Sequence, residues 1–245
     1  MLFALSSHKV ERFILKVVTE KNKRTYLIII RFKVLKAVIL LKLYLALGDS
    51  ITAGYGVESP FSFPMVYASF LRRHNPDLKL LNLGLNGLTT SGLLNQLRTN
   101  PTLRTSIRHA FLITLTIGSN DLLRLIGNPN QPIKTSQLPI IQRTMSRTLM
   151  QIGQEIRSLN PYAIIKVATL YNPLPAGPYA NYYSLVQGII DTANAMIVMW
   201  AKSYGFIVVN LDREIKGKEL IFIGRDHAHP SAAGYQMIAK AFARY

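Results

Sequence analysis

Residues 44–55 read YLALGDSITAGY. An apolar run of strand length stops abruptly at Gly48-Asp49-Ser50, and small residues follow. A hydroxyl at the end of a strand, with glycine beside it, has two readings. It is an ordinary turn residue, or it is a nucleophile presented at the carboxyl edge of a sheet. The stretch alone does not separate them, so the decision passes to what lies downstream.

From Lys42 onward, apolar runs of strand length alternate with helix-length segments. Strands are predicted at 42–47, 78–83, 111–117, 163–169 and 206–210. Helices are predicted at 61–74, 90–99, 101–109, 136–158, 181–203 and 231–243. This alternation implies an α/β protein with a five-stranded, mostly parallel sheet and helices on both faces, a three-layer α/β/α, flavodoxin-like arrangement. No internal repeat or low-complexity segment interrupts it.

Four short polar motifs stand out: GDS (48–50), NLGLNG (82–87) and GSND (118–121) follow the first three strands, and DHAHP (226–230) comes after the fifth strand and opens the last helix. In a parallel sheet all four emerge at the carboxyl edge, where such folds bind ligands. Taken singly, Gly87 and Asn120 read as turn residues and Asp-x-x-His as a helix cap. Taken together they offer the parts of an acyl-transfer site. Asp226 lies three residues before His229, a spacing that lets the carboxylate reach back to the imidazole Nδ1–H. Pro230 and Ser231 suit the start of the last helix. The backbone N–H of Ser50, the backbone N–H of Gly87 and the Asn120 side-chain amide are donors for an oxyanion. His227, one residue after Asp226, is the rival base, and its spacing makes the reach back difficult.

At these residues the chain resembles the SGNH hydrolase superfamily, the GDSL esterase/lipase family. The blocks GDSIT, NLGLNGLTT, GSND and DHAHP stand in the family's order over residues 42–245, and the stretch NPTLRTSIRHAFLITLTIGSNDLLR is similar to bacillus-type GDSL lipases. The resemblance implies a serine hydrolase that cleaves carboxylic esters through an acyl-enzyme, with Ser50, Asp226 and His229 catalytic and Ser50, Gly87 and Asn120 in the oxyanion hole. It implies no cofactor. Lipid acyl esters, including phospholipids and lysophospholipids, are the expected substrates; acetylated carbohydrates and acyl thioesters remain alternatives, as does a catalytically silent membrane- or polymer-binding protein. Two positions depart from the pattern. Ser119 stands where glycine is common, next to the oxyanion donor, where it is expected to narrow the pocket. Phe111 stands where many relatives carry Asp, and is expected to affect packing only. The plan differs from that of α/β-hydrolases, because no Gly-x-Ser-x-Gly elbow is present.

Composition bounds the rest. The 245 residues contain no cysteine, which excludes thiolate nucleophiles, Cys-ligated metals and disulfides. The histidines lack metal-ligand spacing. The net charge is +17; residues 1–41 carry nine Lys/Arg against two Glu, and residues 42–245 carry twenty against ten Asp/Glu. A basic chain favours anionic partners, here an anionic membrane surface, since no nucleic-acid motif is present. Residues 1–41 form a basic, partly apolar extension with no counterpart in the family pattern. Arg31, Lys33, Lys36 and Lys42 interrupt the apolar stretch that runs from this extension into the first strand, making it a poor membrane span and a poor signal peptide. An intracellular or spore- or membrane-associated location is therefore favoured. Oligomeric state, acyl-chain length and alcohol moiety are not encoded in any readable feature.

Overall fold

Strand β1 (Leu43–Gly48) sends Tyr44 and Ala46 to one face of the sheet and Leu45 and Leu47 to the other, and all four are buried. Burial on both faces explains why the run is uniformly apolar and does not alternate with polar residues. The computed structural model describes residues 42–123, 125, 135–175 and 180–245. The readings made for residues 1–41 lie outside the described residues.

The sheet also contains β2 (Lys79–Gly84), β3 (Ala110–Thr116), β4 (Ile164–Ala168) and β5 (Ile207–Val209). Its order is β2-β1-β3-β4-β5 and every pairing is parallel. The chain therefore reverses direction across the sheet between β1 and β3, the switch point beside which this strand order binds ligands. Three of the strand ends meet there: Gly48 pairs with Gly84 on one side and with Thr116 on the other.

Both faces are covered. Helices α1 (Ser50–Ala53), α2 (Phe63–Arg72), α3 (Thr90–Thr99), α4 (Pro101–His109), α5 (Ser119–Leu123), α6 (Leu138–Leu159), α7 (Ala180–Ser203), α8 (Leu211–Ile215), α9 (Glu219–Phe222) and α10 (Ala232–Arg244) alternate with the strands. One core is aliphatic and joins Leu45, Leu47, Ile113, Leu115, Ile165 and Val167 of the sheet to α3, α4, α6 and α7. The opposite core is richer in aromatics: Phe63 stacks on Phe242 at 5.0 Å, and Tyr67 meets Tyr44 edge-on at 5.4 Å, tying α2 and α10 to β1. Within it Lys166 of β4 is buried. Its ammonium donates to the Tyr67 hydroxyl and the Phe242 carbonyl, each at 2.8 Å, and burial lowers its pKa. Over Tyr182–Ser203, α7 is long and apolar enough to cross a membrane, but Ile189, Ile190, Ala193, Ile197, Trp200 and Ala201 all lie in the aliphatic core.

Helix α2 starts at Phe63, later than the predicted 61. Ser62 is extended (φ −62°, ψ 146°), and Ser59–Phe61 form a separate 3-10 turn. Phe111 is exposed at the start of β3, with the Lys42 ammonium 4.7 Å above its ring.

Candidate active site

Gly48 has φ 143°, and a Cβ there would lie 2.2 Å from the Thr116 carbonyl oxygen. Only glycine lets β1 leave the sheet this close to β3. The next residue, Asp49, caps α1: its carboxylate accepts the Ile51 N–H at 3.1 Å. Ser50 thereby occupies the first turn of a short helix directly after the strand.

Asp49 is wholly buried. Its Oδ1 also accepts from the Thr116 hydroxyl (2.9 Å), and its Oδ2 accepts from the Ser119 hydroxyl (2.7 Å). Its own N–H donates to the Thr116 carbonyl (3.1 Å). Burial raises its pKa, and the bonds from Ser119, Thr116 and the Ile51 N–H oppose that rise. Here the expectation for Ser119 gains a second part: the side chain lines the cavity, and its hydroxyl is also a strut under Ser50.

The turn before α10 brings the remaining groups to Ser50. His229 Nε2 lies 2.9 Å from Ser50 Oγ, and His229 Nδ1 lies 2.6 Å from Asp226 Oδ2. Asp226 Oδ1 accepts the N–H groups of Ala228 (3.1 Å) and His229 (3.0 Å). Partial burial pushes the Asp226 pKa up, but the bond from the His229 ring and those two N–H groups outweigh it, and the net shift is downward. The turn is pinned from several sides. The Gly224 N–H donates to the His229 carbonyl (2.7 Å), the Tyr171 hydroxyl to the Ala228 carbonyl (3.0 Å), and Ser231 caps α10 through the Gly234 N–H (3.1 Å). His227 takes φ 52° in this turn and lines the cavity, whereas the ring bonded to Ser50 is that of His229.

The second and third motifs are clamped together. Asp121 is buried and accepts both the Thr90 N–H (2.9 Å) and the Thr90 hydroxyl (2.6 Å). The Asn120 amide donates to the Leu88 carbonyl at 3.0 Å, and Asn120 lines the same cavity as Ser50 and His229. An amide nitrogen carries two N–H groups, so one fixes the loop and a second is available to a substrate oxygen. Gly87 sits in the turn closed by Leu88 N–H to Leu85 carbonyl (3.1 Å), with φ 75° and open space where a Cβ would stand. Its glycine thus answers to backbone conformation, as at the third position of a type II turn, and not to crowding.

The sequence reading did not single out Asp49, Thr90, Asp121 or Tyr55. The Tyr55 ring lies 4.4 Å from the His229 ring, tilted by 38°, and its carbonyl accepts from the Tyr235 hydroxyl at 2.9 Å. The sequence signal for Asp49 and Asp121 was their place inside the GDS and GSND blocks. Nothing in the sequence pointed to the Tyr55 contact.

The cavity that opens on Ser50 has a volume of about 530 Å³. Ser50, Ser119, Asn120, Asp226 and His229 are among its polar lining residues. Leu122, Leu125, Leu170, Leu174, Val186 and Ile190 are among the apolar residues that line the rest. Tyr171, Pro173 and Leu174, which follow β4, also line the cavity; residues 176–179 lie outside the described residues.

A serine–histidine–carboxylate chain on the carboxyl edge of a 2-1-3-4-5 sheet marks the class: a hydrolase of the lipase/esterase type on the SGNH plan. The family model described as "GDSL-like Lipase/Acylhydrolase family" matches residues 46–237, and the chain belongs to that family. Among curated relatives, a spore germination lipase, LipC, of Bacillus licheniformis is 24% identical over 209 residues, covering 80% of this chain and 92% of that one. Among solved structures, the lipase Lip_vut3 from a goat rumen metagenome superposes with a TM-score of 0.73 at 23% identity, covering 83% of this chain and 96% of that one. Phospholipase A1 from Streptomyces albidoflavus gives a TM-score of 0.67 at 20% identity, covering 83% and 99%.

Proposed function

We propose that the chain hydrolyses carboxylic esters of lipids through a Ser50–His229–Asp226 triad and an acyl-enzyme. The observation that carries this reading is the continuous hydrogen-bonded path from Ser50 Oγ through His229 to Asp226, at 2.9 and 2.6 Å. Ser50 Oγ attacks the acyl carbonyl while His229 Nε2 takes its proton. Asp226 holds the imidazole in the tautomer with the proton on Nδ1 and balances the imidazolium. The Ser50 N–H, the Gly87 N–H and the Asn120 amide bind the oxyanion. As the tetrahedral intermediate collapses, the bond to the leaving oxygen breaks and His229 returns the proton to the alcohol. Water then attacks the acyl-enzyme, losing its proton to His229, and releases the acid and Ser50.

The apolar lining of the cavity supports an acyl chain of short to medium length as the group bound there. The name of LipC and that of the Streptomyces phospholipase agree with a lipid ester. The domain assignment is proposed with it: residues 42–245 form the hydrolase domain and residues 1–41 a separate extension.

The test is turnover of p-nitrophenyl esters of graded chain length. The wild type is expected to gain rate as methylenes are added and to lose it once the cavity is filled. Ser50→Ala is expected to lose on the order of 10⁶ in kcat while remaining folded. A folded Ser50→Ala chain with wild-type turnover overturns the assignment.

A further inference from the structure

Beside the His229 turn stands a short ridge that the proposed chemistry does not use. In α9 the Glu219 side chain points inward and is buried, its Oε1 accepting the Gly217 N–H at 2.8 Å. That orientation turns the next two residues outward. Leu220 is 78% exposed and Ile221 61%, consecutive aliphatic side chains facing solvent. Three exposed cations flank them: Lys216, Lys218 and Arg225. Among the described residues none of these three has a salt-bridge partner. The neighbouring acids are otherwise engaged: Glu214 pairs with Arg244 at 2.7 Å, and Asp226 with His229.

This ridge is fixed to the active-site turn. Ile223 and Pro230 form an antiparallel bridge, the Ser231 N–H donates to the Phe222 carbonyl (2.8 Å), and the Ser231 hydroxyl donates to the Ile221 carbonyl (2.8 Å). The site itself has exposed apolar residues as well. Tyr55, which packs on His229, and Leu123, which lines the cavity, are each 48% exposed. Exposed aliphatic side chains with exposed, unpaired cations on either side of them in the sequence match a surface that offers hydrocarbon beneath negative charge. A protein partner would need a larger apolar patch, and nucleic acid has no use for exposed aliphatics.

We propose that Leu220 and Ile221, flanked by Lys216, Lys218 and Arg225, dock the enzyme on an anionic lipid surface and set the mouth of the cavity against it. This partner assignment rests on the lipid-ester reading above. Docking itself does not require turnover, so the two fail separately.

The experiment places a local reporter, because residues 1–41 are also basic and partly apolar. In the full-length chain, Ile221→Trp is mixed with vesicles of brominated phosphatidylcholine containing phosphatidylglycerol, and with brominated phosphatidylcholine alone. The signal of Trp200, which is buried, is subtracted using the unsubstituted chain. The expected result is a blue shift and quenching on the anionic vesicles. Affinity is expected to fall roughly tenfold or more when Lys216, Lys218 and Arg225 are changed to Gln, and to weaken with salt. Leu220→Ser with Ile221→Ser is expected to lower vesicle binding by a similar factor while leaving hydrolysis of a soluble p-nitrophenyl ester unchanged. Vesicle binding with no change in the fluorescence of the substituted position overturns the proposal, because attachment then lies elsewhere on the chain. Equal response to neutral vesicles, or no binding at all, overturns it too.

Discussion

Two aspartates lie close to the same Ser50–His229 pair and are built in opposite ways. Asp226 sits on the surface, half-exposed, with the His229 ring and two backbone N–H groups aimed at its oxygens. These donors hold its pKa below the ordinary carboxylate range, so the charged form that supports an imidazolium persists into acid. Asp49 lies buried under Ser50, with two hydroxyls and one N–H for partners, and burial raises its pKa. In the proposed chemistry the outer carboxylate carries charge through the reaction; the inner one holds a strand end, a helix start and the GSND loop in one place. The difference teaches that position relative to solvent, more than residue type, divides the labour between them.

The sharpest way to break this contrast is to neutralise the outer carboxylate. Asp226→Asn offers an amide N–H to His229 Nδ1 and so favours the wrong tautomer; kcat is expected to fall by on the order of 10⁴. Steady-state kinetics checks this, and a loss below tenfold removes Asp226 from the triad.

A smaller effect is expected where the two regions meet the substrate. Asn120→Ala removes the proposed oxyanion donor and should cost on the order of 10²–10³ in kcat with little change in KM. A change confined to KM would show that Asn120 binds substrate without favouring the transition state.

The smallest effect belongs to the inner carboxylate. Because the folded-state pKa of Asp49 is raised, the native chain keeps a proton there that the unfolded chain has released. Stability therefore falls as pH rises from the ordinary carboxylate range through that raised value. Asp49→Asn keeps one acceptor oxygen and has no such titration. Its Tm, followed against pH beside the wild type, is expected to lack this decline, a difference on the order of a few °C. Parallel Tm curves contradict the assignment of Asp49 as a buried, titrating anchor.

The contrast also explains what was legible in the sequence. The strands were visible because each is a predominantly apolar run of strand length, and the parallel sheet followed from their alternation with helices. Ser50 was visible because it lies in a short motif at a strand end, and Asp226 and His229 because they share a short motif before the last helix, where Asp226 reaches His229 across only three residues. The inner network was not. Ser119 lies 70 residues from Asp49, and Thr90 lies 31 from Asp121; only the fold brings them together. Helices α1, α5 and α9 each span five residues or fewer, too few for a helical period to show. The late start of α2 follows from Ser62 taking an extended conformation before the Phe63-Pro64 start, a local choice that the broader apolar pattern masked.

The central claim is that Ser50 is a nucleophile activated by His229. It is met most directly by labelling the folded chain with a fluorophosphonate and locating the adduct by peptide mass mapping. A single adduct on Ser50 is expected, with labelling slowed by several orders of magnitude in His229→Ala. An adduct on another residue, or an unlabelled Ser50 in the folded wild type, would contradict it.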